Sequence, residues 1–187
     1  MNVSRRLLIL LILFLLFIGL KLKQKTTQID FFQQTDEKQL LTRRFPAKVN
    51  KIMDGDTIEV SFVEEKPEIF NNTESIRFIG INCPELNLHK ENKPEYFSKE
   101  AYLFTKKELM NQYVEIQLDD VSKTRDKYGR VLAYVWIDNH LFNQILVERG
   151  YAKYYSHFDF NADNMLLFQK AEEYSKLNCL GMWENHE

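Results

Sequence analysis

The spacing of apolar residues changes along this chain, and each change marks an element. Leu7 to Leu20 is an unbroken apolar run that follows Arg5 and Arg6. From Lys21 to about Arg44 the chain is polar, rich in Gln, Lys and Thr, and without a sustained period. Beyond Pro46, short alternating runs begin. Ala47–Met53 and Thr57–Val63 read as two strands, the second with Ile58, Val60 and Phe62 on one face. Asp54-Gly55-Asp56 reads as the turn between them, and Glu64 to Thr73, with Pro67 and Asn71-Asn72, as a loop. Ser75–Ile81 predicts a third strand, and Asn82 to Pro94 is irregular. Glu95–Met110 predicts a helix, with Phe97, Ala101 and Phe104 at i, i+4 and i+7. Tyr113–Leu118 and Val131–Ile137 are the fourth and fifth strands, with a turn at Asp138-Asn139. Leu141–Arg149 predicts a short helix with Phe142, Ile145 and Leu146 on one face and Gly150 as its stop. Asp163 is the expected cap of a last helix to about Leu177, with Leu167, Ala171 and Tyr174 on its apolar face.

Three strands, a helix, two strands and two helices suit a small closed barrel. Helices and strands do not alternate, which argues against a doubly wound sheet. The fold class is therefore α+β: a five-stranded OB-type β-barrel with about three helices, preceded by an N-terminal apolar helix. Residues 1–22 form a signal peptide or membrane anchor, 23–45 a polar tether, and 46–187 the barrel domain.

The first segment allows more than one reading. Its 14 apolar residues fit a signal-peptide core and would span about 21 Å as helix, short of a hydrocarbon layer of roughly 30 Å. Lys21 and Lys23 could extend the reach by snorkelling. No small-x-small cleavage pattern follows the run. A cleaved signal and an uncleaved anchor both remain open, and a helix buried in the domain is the bland alternative. Ser4-Arg5-Arg6 is only faintly like a twin-arginine signal, so the general secretory route is the expectation. The protein is expected outside the cytoplasm, secreted, periplasmic or membrane-anchored, and monomeric.

Charge narrows the function. Residues 46–187 hold 17 Lys or Arg against 24 Asp or Glu, a balance of seven negative charges with His neutral. A protein that coats DNA nonspecifically carries the opposite sign. Any contact with nucleic acid must be local. Cys83 and Cys179 do not have zinc-site spacing, and either a disulfide or two thiols is possible.

Three motifs carry the chemistry: Asp54-Gly55-Asp56-Thr57, then Arg77-Phe78-Ile79-Gly80-Ile81-Asn82-Cys83-Pro84-Glu85, then Asp126-Lys127-Tyr128-Gly129-Arg130. Taken singly, each has an ordinary meaning as a hairpin turn, a proline-ended strand or a polar turn. Together they supply acidic and amide oxygens for a hard cation, a spare carboxylate and two arginines for a phosphate. That set serves metal-assisted cleavage of a phosphodiester. Attack on a phosphodiester adds charge to oxygens that are already anionic. Guanidiniums stay protonated and can bind two oxygens at once, and a carboxylate can orient or deprotonate water. The four histidines, His89, His140, His157 and His186, show no metal-binding spacing.

In this order the motifs resemble the staphylococcal nuclease (thermonuclease-like) family. The resemblance runs from about Pro46 to Trp183 and includes the closing Leu180-Gly181-Met182-Trp183. It implies a calcium-dependent nuclease that hydrolyses DNA and RNA with little sequence preference and leaves 3′-phosphate ends. It implies Asp56 as a direct calcium ligand, Asn82 in the place of a second acidic ligand, a carbonyl from Cys83, and Asp54 nearby through water. Glu85 is implied as general base or water-positioning group, and Arg77 and Arg130 as phosphate ligands. Lys127 and Tyr128 are similar to residues that contact the neighbouring phosphate.

Two positions depart from the family pattern. Asn82 replaces a carboxylate and removes one charge from the metal site. Ser156 and Phe158 stand where the family has nucleotide-contacting tyrosines. Phe158 can still stack on a base, whereas Ser156 cannot. Tyr154 or Tyr155 could compensate, or could simply pack in the core. The alternatives are a nuclease-like barrel that binds nucleic acid without cutting it, and a surface or adhesion protein using the barrel as a scaffold. Retention of Arg77, Glu85 and Arg130 argues against both. Membrane contact through the N-terminal segment is expected if that segment is uncleaved.

Overall fold

The computed structural model describes residues 18–23, 41, 43–64, 66–86, 93–157 and 159–184. The chain divides into two compact units, Met1–Leu40 and Leu41–Glu187. In the first, residues 18–23 are helical and exposed. Among the described residues, no helix is long and apolar enough to cross a membrane. Most of the apolar run and of the expected tether lies outside the described residues.

The second unit is built on a barrel. Strand β1 (Arg44–Asp54) turns through Gly55-Asp56 into β2 (Thr57–Phe62), and β2 pairs antiparallel with β3 (Thr73–Phe78). On its other edge β1 pairs antiparallel with β5 (Tyr113–Leu118), and β5 with β6 (Val131–Ile137). A parallel seam closes the circle: β3 pairs with β6, with Ile76 opposite Val131, Arg77 opposite Leu132 and Phe78 opposite Ala133. Just beyond the strand, Ile79 N donates to Ala133 O at 3.0 Å. The result is the five-stranded OB-type barrel expected from the strand pattern. The two-residue strand β7 (His140–Leu141) extends β6 at its edge, and β4 (Ile81–Asn82) pairs antiparallel with β8 (Lys153–Tyr154) in a separate ribbon.

Strand β1 shows why the barrel can curve. Phe45, Ala47 and Val49 alternate inward, but the next buried residue is Ile52. The pairing shifts between Val49 and Lys51, a bulge that leaves Asn50 and Lys51 both outside and re-aims the strand end. That end carries Asp54.

The third strand is shorter at its end than its sequence suggests. It runs Thr73–Phe78, not Ser75–Ile81, because the chain turns at Ile79-Gly80. Gly80 has φ +76, and a Cβ there would fall 2.6 Å from the Phe160 ring and 2.7 Å from that of Phe168. Only glycine suits both demands. Buried Asn143 secures this turn. Its Oδ1 accepts from Val135 N (3.0 Å), and its Nδ2 donates to Ile79 O (3.0 Å) and Ala133 O (3.4 Å).

Helix α1 (Ser98–Leu109) starts three residues later than expected and faces the barrel with Ser98, Ala101, Thr105 and Leu109, not with Phe97 and Phe104. The reason is closeness. Thr105 Oγ1 donates to Gly55 O at 2.6 Å, and Ala101 Cβ lies only 3.2 Å from where a Cβ on Gly55 would fall. Phe104 stacks sideways on Tyr151 (ring centroids 4.3 Å apart, 11°). Helix α2 (Phe142–Glu148) buries Phe142, Asn143, Leu146 and Val147, with Ile145 only half-buried. Helix α3 (Ala162–Leu177) is capped by Asn161, not Asp163: Asn161 Oδ1 accepts from Asp163 N (3.0 Å) and Asn164 N (3.3 Å). Its buried face is Phe168, Ala171 and Ser175, one position round from the expected stripe, and Tyr174 is exposed. The closing Gly181–Trp183 segment is a 3₁₀ turn held by Met182 N to Gly150 O at 2.9 Å.

Candidate active site

The site lies where the β1–β2 turn, the end of β3 and the start of β6 meet. Thr57 pairs with Arg77 across the sheet, so register alone brings the first two motifs together. Arg130 immediately precedes Val131, whose parallel partner is Ile76, and this brings in the third.

Asp56 is the centre, only 6% exposed. Its Oδ2 accepts from Cys83 N at 2.7 Å and lies 3.2 Å from Arg77 Nη2, and its Oδ1 accepts from Thr57 Oγ1 at 3.1 Å. Arg77 is held on three sides: Nη1 donates to Phe78 O (2.7 Å), and Nη2 donates to Asn82 Oδ1 (2.8 Å) beside Asp56. Arg130 approaches the other side, with Nη1 3.4 Å from Thr57 Oγ1. Asp126 orients it, since Arg130 Nε and Nη2 each lie 2.7 Å from Asp126 Oδ2. These bonds keep the Asp126 carboxyl below the usual carboxylate range, although burial pushes the other way. Two guanidiniums thus flank one buried Asp–Thr dipeptide.

Asp54 carries the clearest electrostatic signal. Burial, reinforced by the nearby charges of Asp56 and Glu85, raises its carboxyl from 3.8 to about 6. Its Oδ1 accepts from Gly55 N at 2.8 Å, which opposes the rise. The turn must pack closely, because a Cβ on Gly55 would fall 2.8 Å from Cys83 Cβ and 2.9 Å from its Sγ. Cys83 is fully buried, and burial followed by the Asp56 charge pushes its thiol well up. Both cysteines are free, Cys83 buried and Cys179 exposed.

Glu85 is exposed at the rim. A two-way clasp fixes its backbone: Glu85 N donates to Glu95 Oε2 and Glu95 N donates to Glu85 O, each at 3.0 Å. Tyr128 is 72% exposed, with Lys127 Nζ 5.0 Å and Arg130 Cζ 5.4 Å from its ring centroid. Ser156 is exposed, and Tyr155 stacks on His157 with centroids 4.6 Å apart. Tyr154 meets Phe160 edge-on at 6.4 Å, a packing role. Phe158 lies outside the described residues.

Asp54, Asp56, Asn82 and Glu85 present oxygens to one locality, where burial first and then the Asp56 and Glu85 charges raise the Asp54 carboxyl. Oxygen donors with excess negative charge suit a hard divalent cation. Among the described residues, no group of three or more His, Cys, Asp or Glu could by itself hold a metal ion. A cation here therefore needs neutral oxygens as well as the carboxylates. Sequence patterns gave no hint of Glu95 or Thr105. Both read as ordinary polar residues of the Glu95–Met110 helix, whereas the observed helix starts at Ser98 and leaves Glu95 ahead of it.

The barrel and its mouth define an OB-type fold with an acidic hairpin set against paired arginines. The family model of staphylococcal nuclease homologues matches residues 75–185. Among relatives, the chain is 35% identical over 139 residues to a thermonuclease of Staphylococcus intermedius, covering 73% of this chain and 74% of that protein. It is 39% identical over 107 residues to a thermonuclease of Staphylococcus hyicus, covering 57% of each. It is 30% identical over 139 residues to the SPbeta prophage-derived endonuclease YokF of Bacillus subtilis, covering 74% of this chain and 44% of that protein. The chain belongs to the staphylococcal nuclease family.

Proposed function

We propose that this protein is a calcium-dependent nuclease that hydrolyses DNA and RNA with little sequence preference and leaves 3′-phosphate ends. The observation that carries this reading is the pair of guanidiniums, Arg77 and Arg130, set on either side of Asp56-Thr57. The names of the thermonuclease and endonuclease relatives support it.

Arg77 and Arg130 bind the scissile phosphate and stabilise the charge that grows on its oxygens during attack. Positioned donors of this kind are each worth roughly a hundred- to a thousandfold in rate. Asp126 fixes the direction of the Arg130 fork, and Asp56 and Asn82 that of Arg77. Glu85 orients the attacking water or accepts its proton. Asp56, Asp54, Asn82 and the Cys83 carbonyl are the residues that would hold calcium. When bound, the ion supplies positive charge to offset that of the phosphate. Lys127 and Tyr128 contact the neighbouring phosphate, and Phe158 stacks on a base. The chain acts as a monomer in this reading. The N-terminal run exports the domain and, if uncleaved, anchors it to the membrane through the tether, with the catalytic domain beginning near residue 46.

The test is hydrolysis of single- and double-stranded DNA and of RNA by the full chain, with calcium and with chelator, followed by identification of the product ends. Calcium-dependent cleavage to 3′-phosphates is expected. Tight binding without cleavage under any divalent ion would overturn the reading in favour of a binding module.

A further inference from the structure

We propose that the Glu74–Arg125 ion pair is a clamp that sets the spacing of Arg77 and Arg130, which makes Glu74 and Arg125 positioning residues of the hydrolytic site. The proposal rests on the nuclease reading above. Glu74 is a charged residue on the inward face of β3, only 5% exposed, where Ile76 and Phe78 follow it into the core. Its partner arrives from the loop that leads into β6. Arg125 Nη2 lies 2.6 Å from Glu74 Oε1, and Nη1 lies 2.9 Å from Oε2. The same guanidinium donates to Gly129 O and to Ile69 O, each at 2.9 Å. Glu74 Oε1 also accepts from Asn71 N (2.7 Å) and Asn71 Nδ2 (2.9 Å). Against the cost of burial, these partners hold the Glu74 carboxyl below its ordinary range and raise Arg125.

The connections explain what the pair does. Glu74 is on the strand that carries Arg77, three residues upstream, about 10 Å along an extended chain. Gly129 O belongs to the peptide that joins Gly129 to Arg130. Arg125 therefore grips the backbone of one arginine while it holds the strand of the other. The turn itself is closed by Asp126, whose Oδ1 accepts from Tyr128 N (2.9 Å) and Arg130 N (3.0 Å), so it moves as a unit. The hydrogen bonds from residues 124–126 to 130–132 guide that unit to the barrel. Arg125 engages four protein acceptors, so its guanidinium is committed to protein and not to phosphate. Glu74 is buried and Arg125 only part-buried, and since replacing even a fully buried ion pair by apolar residues of similar volume is often neutral or stabilising, stability alone does not require the pair. Fixing a catalytic group is the role left for it, because a misplacement of about 1 Å can cost roughly a hundredfold in rate.

The test is the double variant Glu74→Met/Arg125→Met in the full chain, with and without Arg130→Ala. It is expected to stay folded, with kcat lowered roughly ten- to a hundredfold and KM nearly unchanged. In the Arg130→Ala background the same pair should lower kcat by less than about threefold, because the group it positions is gone. Equal loss in both backgrounds, or full turnover by the folded double variant, overturns the clamp. Should the double variant fail to fold, Arg125→Lys keeps the charge but cannot span four acceptors, and the same comparison is made with it. A readout without turnover separates the two proposals. The Arg130 Nε–H resonance in NMR should be sharp and protected in the wild type and should shift or lose protection in the clamp variants. An unchanged resonance overturns the clamp. A wild-type chain that cleaves no nucleic acid overturns the nuclease reading, and the resonance still decides the clamp.

Discussion

Asp54→Asn should stabilise the protein at neutral pH when calcium is chelated, and the gain should vanish in acid. Asp54 has its carboxyl raised from 3.8 to about 6 by burial and by the charges of Asp56 and Glu85. A group raised on folding contributes stability below its unfolded value, and that contribution is lost as pH rises through the folded value. At pH 7.5 the wild type therefore carries an ionised, unfavourably placed carboxylate, and at pH 3.5 it does not. The gap between 3.8 and about 6 corresponds to ~3 kcal/mol at 1.36 kcal/mol per tenfold change in proton affinity. Asp54 is only half-buried, and solvent screening reduces this to about 1–2 kcal/mol. The substituted amide keeps an oxygen for Gly55 N but turns an NH₂ toward the site, which subtracts a pH-independent amount. The informative quantity is thus the difference between variant and wild type as a function of pH. Urea unfolding of both proteins in EDTA from pH 3.5 to 8 measures it. The difference should move in favour of the variant between about pH 4 and 7. A difference that stays flat across that window would refute the electrostatic account of this site. The same substitution should raise the calcium needed for activity, since the charge that burdens the empty hairpin is the charge offered to the ion.

Arg77→Ala and Arg130→Ala should each lower kcat by roughly a hundred- to a thousandfold with the fold retained, checked by steady-state hydrolysis and far-UV circular dichroism. Asn82→Asp adds a charge to the metal site and should lower the half-saturating calcium concentration by about 1–2 kcal/mol equivalent, read from activity titrations. Because Asn82 Oδ1 now accepts from Arg77, an aspartate that pairs with Arg77 in preference to calcium would leave that concentration unchanged. Removal of residues 1–40 should leave specific activity unchanged, since every site residue lies in Leu41–Glu187, and nuclease assay of the shortened chain tests this.

The barrel was legible because its strands alternate and its turns use Asp, Gly and Asn, features that act locally. The three motifs of the candidate site were legible one by one, and hairpin register and a strand end bring them together. Less legible were the choices made by tertiary packing. Thr105 looks like a solvated helix residue but is buried because Gly55 O needs its hydroxyl. Glu74 looks like an exposed strand charge, and its partner stands 51 positions away. Asn161 took the cap from Asp163 because its own N–H is anchored on Asp119 Oδ2 at 2.9 Å, which sets where the chain enters α3. Each of these depends on a long-range neighbour that no local period reveals.

The parallel seam between β3 and β6 has a consequence for how activity is acquired. Arg77 lies on one side of the seam, and Arg130 stands at the mouth of the other. The β1–β2–β3 meander can form from near neighbours, but the seam joins segments more than fifty residues apart and the β1–β5 pairing segments more than sixty apart, and contacts that distant cost more chain entropy to close. The two arginines are therefore brought together only when the barrel shuts, and a chain with the seam open does not hold them side by side. For an exported nuclease, as proposed here, the unfolded chain would be harmless to the nucleic acids of the cell that makes it. No inhibitor or pro-segment would be needed for that protection, because it follows from placing the two arginines on opposite sides of a long-range joint.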